Sequence, residues 1–135
     1  MTDEPLGEGQ KTILVADDDR DLVMALAIRL RAAGYKVLTA HDGDEAYRQA
    51  VDNVPDLVIL DVRMPQGGGL ASIDRLKHSL TTRTIPVMFL TAFDDEEMRD
   101  EARKLGAAGY FRKPFKDEEF MTGIRDVLEG RQHSM

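Results

Sequence analysis

The chain contains no cysteine among its 135 residues. This absence excludes disulfides, thiolate metal sites and cysteine nucleophiles. The three histidines, His41, His78 and His133, do not have the spacing of a metal site. Neither a phosphate-binding loop of the type G-x-x-x-x-G-K nor a G-x-S-x-G nucleophile elbow occurs. The sequence therefore offers none of these common catalytic or nucleotide-binding motifs.

Long hydrophobic runs and a basic surface are also lacking. The longest apolar runs have the length of a strand, far short of the roughly 20 residues of a membrane-spanning helix. Residues 1–10 have neither the positive region nor the apolar region of a signal peptide. A net charge of -7 disfavours general binding to nucleic acids or anionic membranes. We therefore expect a cytoplasmic, single-domain protein without direct contact to nucleic acid or membrane.

Apolar runs of strand length that end in polar side chains are the main feature that the sequence does have. The runs are residues 13–16 before Asp17, Asp18 and Asp19, residues 57–60 before Asp61, residues 87–90 before Thr91, and residues 107–111 shortly before Lys113. Each run is typical of a buried strand that presents polar groups at its end.

Strand-like and helix-like segments alternate along the chain, which predicts a doubly wound α/β fold with a five-stranded parallel sheet and five helices. The predicted strands are 12–16, 36–40, 56–60, 85–90 and 107–111. The predicted helices are 20–33, 43–53, 70–79, 94–105 and a last one that opens at 116–117 and includes Leu128, with Gly130 expected to be frayed. Right-handed crossovers would bring the loops after every strand to one edge of the sheet, where ligands bind in such folds.

The first predicted helix shows how the pattern assigns faces. Asp19 precedes it as an N-cap, and Gly34 follows it as a natural stop. The residues that we expect near its inner face are Leu22, Leu26, Ile28, Leu30 and Ala33.

Three carboxylates, those of Asp17, Asp18 and Asp61, are candidates for a metal site. If the first and third strands are neighbours, their ends lie roughly 5 Å apart. Carboxylates at that distance repel one another, and a hard divalent cation removes the conflict. Mg²⁺ fits because it keeps several waters and takes only a few carboxylates. Helix capping alone is the alternative, and we favour it only for Asp19.

Lys113 and Thr91 complete the candidate site. A lysine at the end of the fifth strand can contact a phosphoryl oxygen or pair with Asp61. The Thr91 hydroxyl can donate to a phosphoryl oxygen, although threonine is common in strands. Each residue alone is weak evidence, whereas their placement at the ends of four strands favours a phosphoryl-transfer site with Asp61 as the reactive group.

Four motifs resemble those of the receiver domains of bacterial two-component response regulators. They are residues 13–19 (ILVADDD), 60–65 (LDVRMP), 89–92 (FLTA) and 109–115 (GYFRKPF). The resemblance covers residues 12–130, between an expected flexible N-terminal tail at 1–11 and a short C-terminal tail at 131–135. It implies a flavodoxin-like sheet with strand order 2-1-3-4-5.

The resemblance also implies roles for individual residues. Asp61 matches the phosphoacceptor, and Asp17 and Asp18 match the acidic pair that holds Mg²⁺ together with Asp61 and the main-chain carbonyl of Arg63. Thr91 and Lys113 match the groups that contact the phosphoryl oxygens. Tyr110 matches an aromatic switch, for which simple packing at the sheet edge is the alternative. The bond between Lys113 and Pro114 is expected to be cis.

The implied function is that of a phosphorelay switch and not of a metabolic enzyme. The phosphoryl donor would be a histidine kinase or a histidine phosphotransfer protein. The output would be a downstream protein partner or an effector domain missing from the sequence. Either a monomer or a homodimer promoted by phosphorylation agrees with the sequence.

Two positions depart from the usual receiver pattern, namely Arg63 and Phe93, which stand two residues after Asp61 and Thr91. We hypothesise that these larger side chains shield the acyl phosphate and alter its lifetime, although a solvated arginine and a surface aromatic are equally good interpretations. The loop 66–69 also lacks the acid that commonly precedes the glycine matched by Gly69.

Three other functions were compared with the receiver. A nucleotide- or flavin-binding domain predicts a glycine-rich first turn, whereas residues 17–19 are all aspartates. A Mg²⁺-dependent phosphatase with an aspartyl nucleophile usually has a second acid where Arg63 stands. A degenerate receiver that acts only as a scaffold is not favoured, because every matched functional position is filled.

Overall fold

The structure is a computed structural model that describes residues 9–63, 68–92 and 96–130. These residues form five strands and five helices that alternate along the chain. In chain order they are β1 (Thr12–Ala16), α1 (Arg20–Ala32), β2 (Lys36–Ala40), α2 (Gly43–Asn53), β3 (Leu57–Asp61), α3 (Gly68–Lys77), β4 (Val87–Thr91), α4 (Glu96–Lys104), β5 (Gly109–Arg112) and α5 (Asp117–Leu128). Among them, no helix has both the length and the apolar character needed to cross a bilayer.

The five strands form one parallel sheet in the order β2-β1-β3-β4-β5, as the resemblance implied. β1 and β3 are therefore neighbours, with Ala16 opposite Leu60. Because successive side chains of a strand point to opposite faces, each strand contributes to two cores. Ile13 and Val15 pack with α1 and α5 on one face, whereas Leu14 and Ala16 pack with α2, α3 and α4 on the other.

The inner face of α1 differs from the predicted one. Its buried residues are Val23, Leu26, Ala27 and Leu30, which follow the i, i+3, i+4, i+7 spacing. Ile28 is 62% exposed, so its assignment to the inner face was wrong. The error arose because Ile28 was assigned to the core for its apolar side chain alone. Each residue along a helix turns the side chain by about 100°, so Ile28 points away from the face that Ala27 occupies.

Ala33 also lies outside the inner face of α1, because it is the exposed C-cap of the helix. The predicted ends of the helix were otherwise confirmed. The Asp19 side chain accepts a hydrogen bond from the Leu22 N–H at 3.1 Å, and Gly34 adopts a φ of +100°. The Asp19 carboxylate therefore caps α1, and of the three consecutive aspartates only Asp17 and Asp18 remain candidates for the metal site.

Several element boundaries shift by a few residues from the prediction. α3 begins at Gly68, inside a glycine-rich stretch that was expected to form a loop. β5 begins at Gly109, two residues later than predicted, although Ala107 is also buried. The expected tails, apart from residues 9–11, and Phe93 lie outside the described residues.

Candidate metal and phosphoryl site

The carboxyl edge of the sheet brings together the polar residues that the sequence singled out. Asp61 is the last residue of β3 and pairs with Leu90, and Thr91 is the last residue of β4 and pairs with Arg112. Lys113 follows β5 directly. Parallel strands in register end at the same edge, so residues separated by many positions in sequence become neighbours in space.

The carboxylates of Asp17, Asp18 and Asp61 form one cluster, in which a ligand oxygen from each lies within 4.8 Å of the others. Asp17 is fully buried, Asp61 is 7% exposed, and Asp18 is exposed. One oxygen of Asp17 accepts from the Asp19 N–H at 3.0 Å, and one oxygen of Asp61 accepts from the Arg63 N–H at 3.2 Å. These backbone hydrogen bonds orient two carboxylates whose remaining oxygens both lie near the Lys113 ammonium.

Lys113 supplies the positive charge of the site. Its Nζ donates to Oδ2 of Asp17 at 2.7 Å and lies 3.7 Å from Oδ2 of Asp61. Pairing with Asp61 was the interaction considered from the sequence, and the shorter contact to Asp17 was missed. The Lys113 N–H also donates to the Thr91 carbonyl at 2.6 Å, and the Lys113–Pro114 bond is cis as expected.

The electrostatics of the site act most strongly on Asp61. Its pKa is raised from 3.8 to about 6, chiefly because burial disfavours the charged form, and further by the neighbouring Asp17 charge. The Lys113 ammonium and the Arg63 N–H lower this pKa and only partly offset the increase. Asp61 is therefore mostly ionised at neutral pH, but its negative charge is not fully compensated by the protein.

The donor set fits a hard divalent cation. The three carboxylates offer only oxygen ligands, and a cation among them would offset both the mutual repulsion and the burial of Asp61. The exposed Asp18 leaves the cluster open to solvent on one side. An acidic triad of this kind is typical of the Mg²⁺ site of receiver domains.

Thr91 and Tyr110 lie on the same face of the sheet, because Tyr110 pairs with Phe89, two residues before Thr91. Thr91 is fully buried, and Tyr110 is 6% exposed. The guanidinium of Arg99 in α4 lies 5.2 Å from the centre of the Tyr110 ring. This cation–π contact could not be foreseen from motifs.

Gly69 is a site residue whose physical role the sequence did not reveal. Its N–H donates to the Val62 carbonyl at 2.8 Å, next to Asp61. A Cβ at this position would lie 2.3 Å from the Asp61 carbonyl oxygen and 2.8 Å from the Val62 Cα. Only glycine therefore allows α3 to approach the end of β3 this closely, and the motif match around Gly69 was the only available signal.

A doubly wound sheet with strand order 2-1-3-4-5 and an acidic cluster beside a lysine at its carboxyl edge defines a class of flavodoxin-like domains with a cation site at that edge. The chain matches the family profile described as "Response regulator receiver domain" over residues 13–125. It therefore belongs to the receiver domains of two-component response regulators, which are signalling switches and not classical enzymes.

Curated relatives show the same family. The chain is 44% identical over 121 residues to the transcriptional regulatory protein CpxR of Klebsiella pneumoniae, covering 90% of this chain and 50% of the relative. It is 36% identical over 118 residues to the phosphate regulon transcriptional regulatory protein PhoB of Pseudomonas aeruginosa, covering 87% and 52%. The chain thus spans about half the length of these relatives.

Solved structures share the fold over almost their whole length. The chemotaxis protein CheY4 of Vibrio cholerae superposes with a TM-score of 0.83 at 29% identity, covering 88% of this chain and 99% of that protein. The HemR receiver domain of Leptospira biflexa gives a TM-score of 0.82 at 31% identity, covering 93% and 100%.

Proposed function

We propose that Asp61 accepts a phosphoryl group from a phosphohistidine of a histidine kinase or a histidine phosphotransfer protein. The observation that carries the proposal is the arrangement of a nearly buried Asp61 carboxylate beside Asp17, Asp18 and the Lys113 ammonium. A carboxylate nucleophile, an acidic cation site and a lysine are the parts that in-line phosphoryl transfer needs. Family membership supports the same assignment.

The transfer exchanges one bond to phosphorus for another. An Asp61 oxygen forms a bond to phosphorus while the bond between phosphorus and the donor imidazole nitrogen breaks, and the imidazole leaves with that electron pair. Lys113 would stabilise the charge on the transferring oxygens, because its Nζ already lies 3.7 Å from Asp61. Water later attacks the phosphorus, the bond from phosphorus to the Asp61 oxygen breaks, and the Asp61 carboxylate and inorganic phosphate are released.

We assign Mg²⁺ to the acidic cluster as the cofactor of this reaction. Asp17, Asp18 and Asp61 would hold it with their carboxylates, and Arg63 with its main-chain carbonyl. When bound, the ion neutralises charge on the phosphoryl oxygens and on the acceptor. The Arg63 N–H donates to Asp61, so the same residue orients the acceptor carboxylate.

Thr91 and Tyr110 are the residues that we assign to the switch. The Thr91 hydroxyl would donate to a phosphoryl oxygen on Asp61, and the Tyr110 ring, on the same face, would respond to the position of Thr91. The surface around α4, β5 and α5 would change as a result. Tyr110→Ala should therefore keep phosphorylation and weaken discrimination by a partner protein, and equal discrimination would contradict the switch role.

We propose a phosphoryl donor protein and an output partner from the chemistry of the site and from the relatives of the chain. A groove of about 540 Å³ opens beside Lys113 and is lined by side chains of α1 and by Pro114 and Phe115. Such a groove offers a protein donor a surface next to the acceptor. The output would be a partner protein or an effector domain, since the chain spans only about half the length of the curated relatives. Cytoplasmic placement and a monomer, or a homodimer promoted by phosphorylation, are part of the same proposal.

Intact mass spectrometry after incubation with acetyl phosphate tests the proposal directly. The wild type should gain one phosphoryl group in the presence of Mg²⁺ and none after chelation with EDTA. Asp61→Asn, which keeps the size of the side chain, should gain none under either condition. A folded wild type without any gain would contradict the proposal, and a gain that persists in Asp61→Asn would mean that another residue is the acceptor.

A further inference from the structure

We propose that Arg99 is a positioning residue that holds the Tyr110 ring in its buried position and thereby favours phosphorylation of Asp61. The inference rests on the proposed function of Asp61, Thr91 and Tyr110 and assigns a regulatory role to a residue outside the phosphoryl site. Its physical basis is the contact of the Arg99 guanidinium with the Tyr110 ring across the α4–β5 junction.

The geometry of the contact is that of a cation–π interaction. A guanidinium within about 6 Å of a ring centre is attracted by the negative face of the ring, and the attraction strengthens where water is excluded. Here the distance is 5.2 Å, and the ring is only 6% exposed. Arg99 itself is half-buried, so its side chain covers the ring on the side of α4. If the Tyr110 ring moved out of the core, it would lose both the contact with the Arg99 guanidinium and its packing against core side chains.

The position of Tyr110 connects this contact to the phosphoryl site. Tyr110 pairs with Phe89, and Thr91 is the next residue of β4 on the same face. A ring held in the core therefore lies on the face that the Thr91 side chain also occupies. The contact involves no group of the acidic cluster, so it favours the buried ring whether or not Asp61 carries a phosphoryl group.

Thermodynamic linkage gives the expected direction. If the buried ring accompanies Thr91 engaged with a phosphoryl oxygen, then whatever stabilises the buried ring also favours phosphorylated Asp61, by at most the same factor. Loss of one partly desolvated cation–π contact corresponds to roughly a two- to tenfold change in such an equilibrium. Arg99 would therefore set how readily the domain switches, without touching the reacting atoms.

Arg99→Met tests this inference because methionine keeps the length of the side chain and removes its charge. In this variant, the NMR signals of the Tyr110 ring should move toward those of an exposed tyrosine. The level of phosphorylation reached with acetyl phosphate and Mg²⁺ should fall roughly two- to tenfold. Arg99→Lys keeps the positive charge and should recover part of both losses.

Two matched controls separate the proposal from general effects of charge or packing. Arg103→Met makes the same charge change one turn further along α4, where the arginine pairs with Asp100. Arg75→Met removes another arginine–tyrosine contact, in which the guanidinium lies 4.1 Å from the Tyr47 ring between α3 and α2. Both controls should leave the level of phosphorylation at the wild-type value.

Each outcome decides a separate question. A wild type that takes no phosphoryl group removes the proposed function and, with it, this inference. If the wild type is phosphorylated and Arg99→Met shows the same Tyr110 ring signals and the same level of phosphorylation, the role of Arg99 is overturned, whereas the proposed function stands. Altered ring signals with unchanged phosphorylation would reduce the contact to packing and would also overturn the proposal.

Discussion

Lys113 forms its closer ion pair with Asp17 and not with the proposed phosphoacceptor Asp61. The Nζ lies 2.7 Å from an Asp17 oxygen and 3.7 Å from an Asp61 oxygen. Asp17 is also a member of the proposed cation site. The Lys113 ammonium and a divalent cation would therefore both interact with the buried Asp17 carboxylate. Because the two positive charges repel each other there, the ammonium weakens binding of the cation.

Replacement of Lys113 should accordingly have opposite effects on cation binding and on phosphorylation. Lys113→Met removes a competing positive charge, so Mg²⁺ should bind several-fold more tightly. Phosphorylation by acetyl phosphate should slow by roughly 10²-fold, since one group that stabilises the transferring oxygens is lost. A Mg²⁺ titration followed by NMR, together with the mass assay, measures both effects. Lys104→Met, an exposed change of the same charge, is the control, and unchanged Mg²⁺ affinity in Lys113→Met would contradict the antagonism.

The raised pKa of Asp61 predicts how the stability of the metal-free protein depends on pH. Below about pH 4 this carboxyl group is protonated in both the folded and the unfolded chain. Between pH 4 and its folded pKa of about 6 the unfolded chain loses the proton first, so folding loses stability as pH rises. Above pH 6 the full cost of the buried charge remains.

Asp61→Asn cannot ionise and should therefore be more stable than the wild type at pH 7.5, by on the order of 2 kcal/mol in EDTA. The difference should shrink toward zero near pH 4. Urea denaturation at a series of pH values measures the free energy of unfolding, and exposed Asp52→Asn serves as the control. An advantage of Asp61→Asn that does not depend on pH would show that ionisation is not its cause.

Gly69→Ala should disturb the site more than it disturbs the helix that contains it. The new Cβ would meet backbone atoms of Asp61 and Val62, which cannot rotate away, so the end of β3 must shift. Overpacking of this kind costs about 1–3 kcal/mol, and a displacement of about 1 Å at a reacting group can slow a reaction roughly 10²-fold. Denaturation and the rate of phosphorylation measure the two effects.

Ala71→Gly provides a control for Gly69→Ala that weakens α3 at an exposed position. It should cost about 1 kcal/mol of stability and leave the phosphorylation rate near the wild-type value. If both variants slow phosphorylation in proportion to their loss of stability, Gly69 has no specific effect on the position of Asp61.

Arg63 is expected to control the lifetime of the acyl phosphate. The Arg63 N–H orients Asp61, the proposed acceptor, and the exposed Arg63 side chain stands two residues further along the chain. Arg63→Ala keeps the N–H and removes the side chain, so hydrolysis should accelerate by a few-fold if that side chain shields the phosphoryl group from water. The loss of the phosphoryl mass after removal of acetyl phosphate measures this rate. Arg48→Ala on α2 is the control of equal charge, and identical hydrolysis rates would end the hypothesis.

The alternation of strands and helices and the clustering of Asp17, Asp18, Asp61 and Lys113 could be predicted from local patterns, whereas the strand order came from the resemblance to receiver domains. Apolar runs followed by Asp17, Asp61 and Thr91 mark strand ends, and a parallel sheet gathers such ends at one edge. The confirmed cap at Asp19 has the same local origin. The misplaced Ile28 shows the limit, since its assignment depended on how the whole helix rotates against the sheet.

Several individual contacts that depend on the packing of helices or on exact distances could not be predicted. The Lys113 Nζ lies 2.7 Å from Asp17 and 3.7 Å from Asp61, and the assignment of strands from sequence does not resolve a difference of this size. The contact of Arg99 with the Tyr110 ring depends on how α4 packs, and the close approach of Gly69 to Asp61 depends on how α3 packs. Such contacts arise from tertiary packing, which single-sequence patterns do not encode.

The ion pair between Asp17 and Lys113 joins residues 96 positions apart in sequence. During synthesis, the first carboxylates leave the ribosome long before the lysine that neutralises them, and the last strand is needed to place it. A nascent chain therefore carries an incomplete, strongly acidic site until nearly the whole domain has emerged. The order of synthesis thus delays any reaction at Asp61 that needs Lys113 until the sheet is complete.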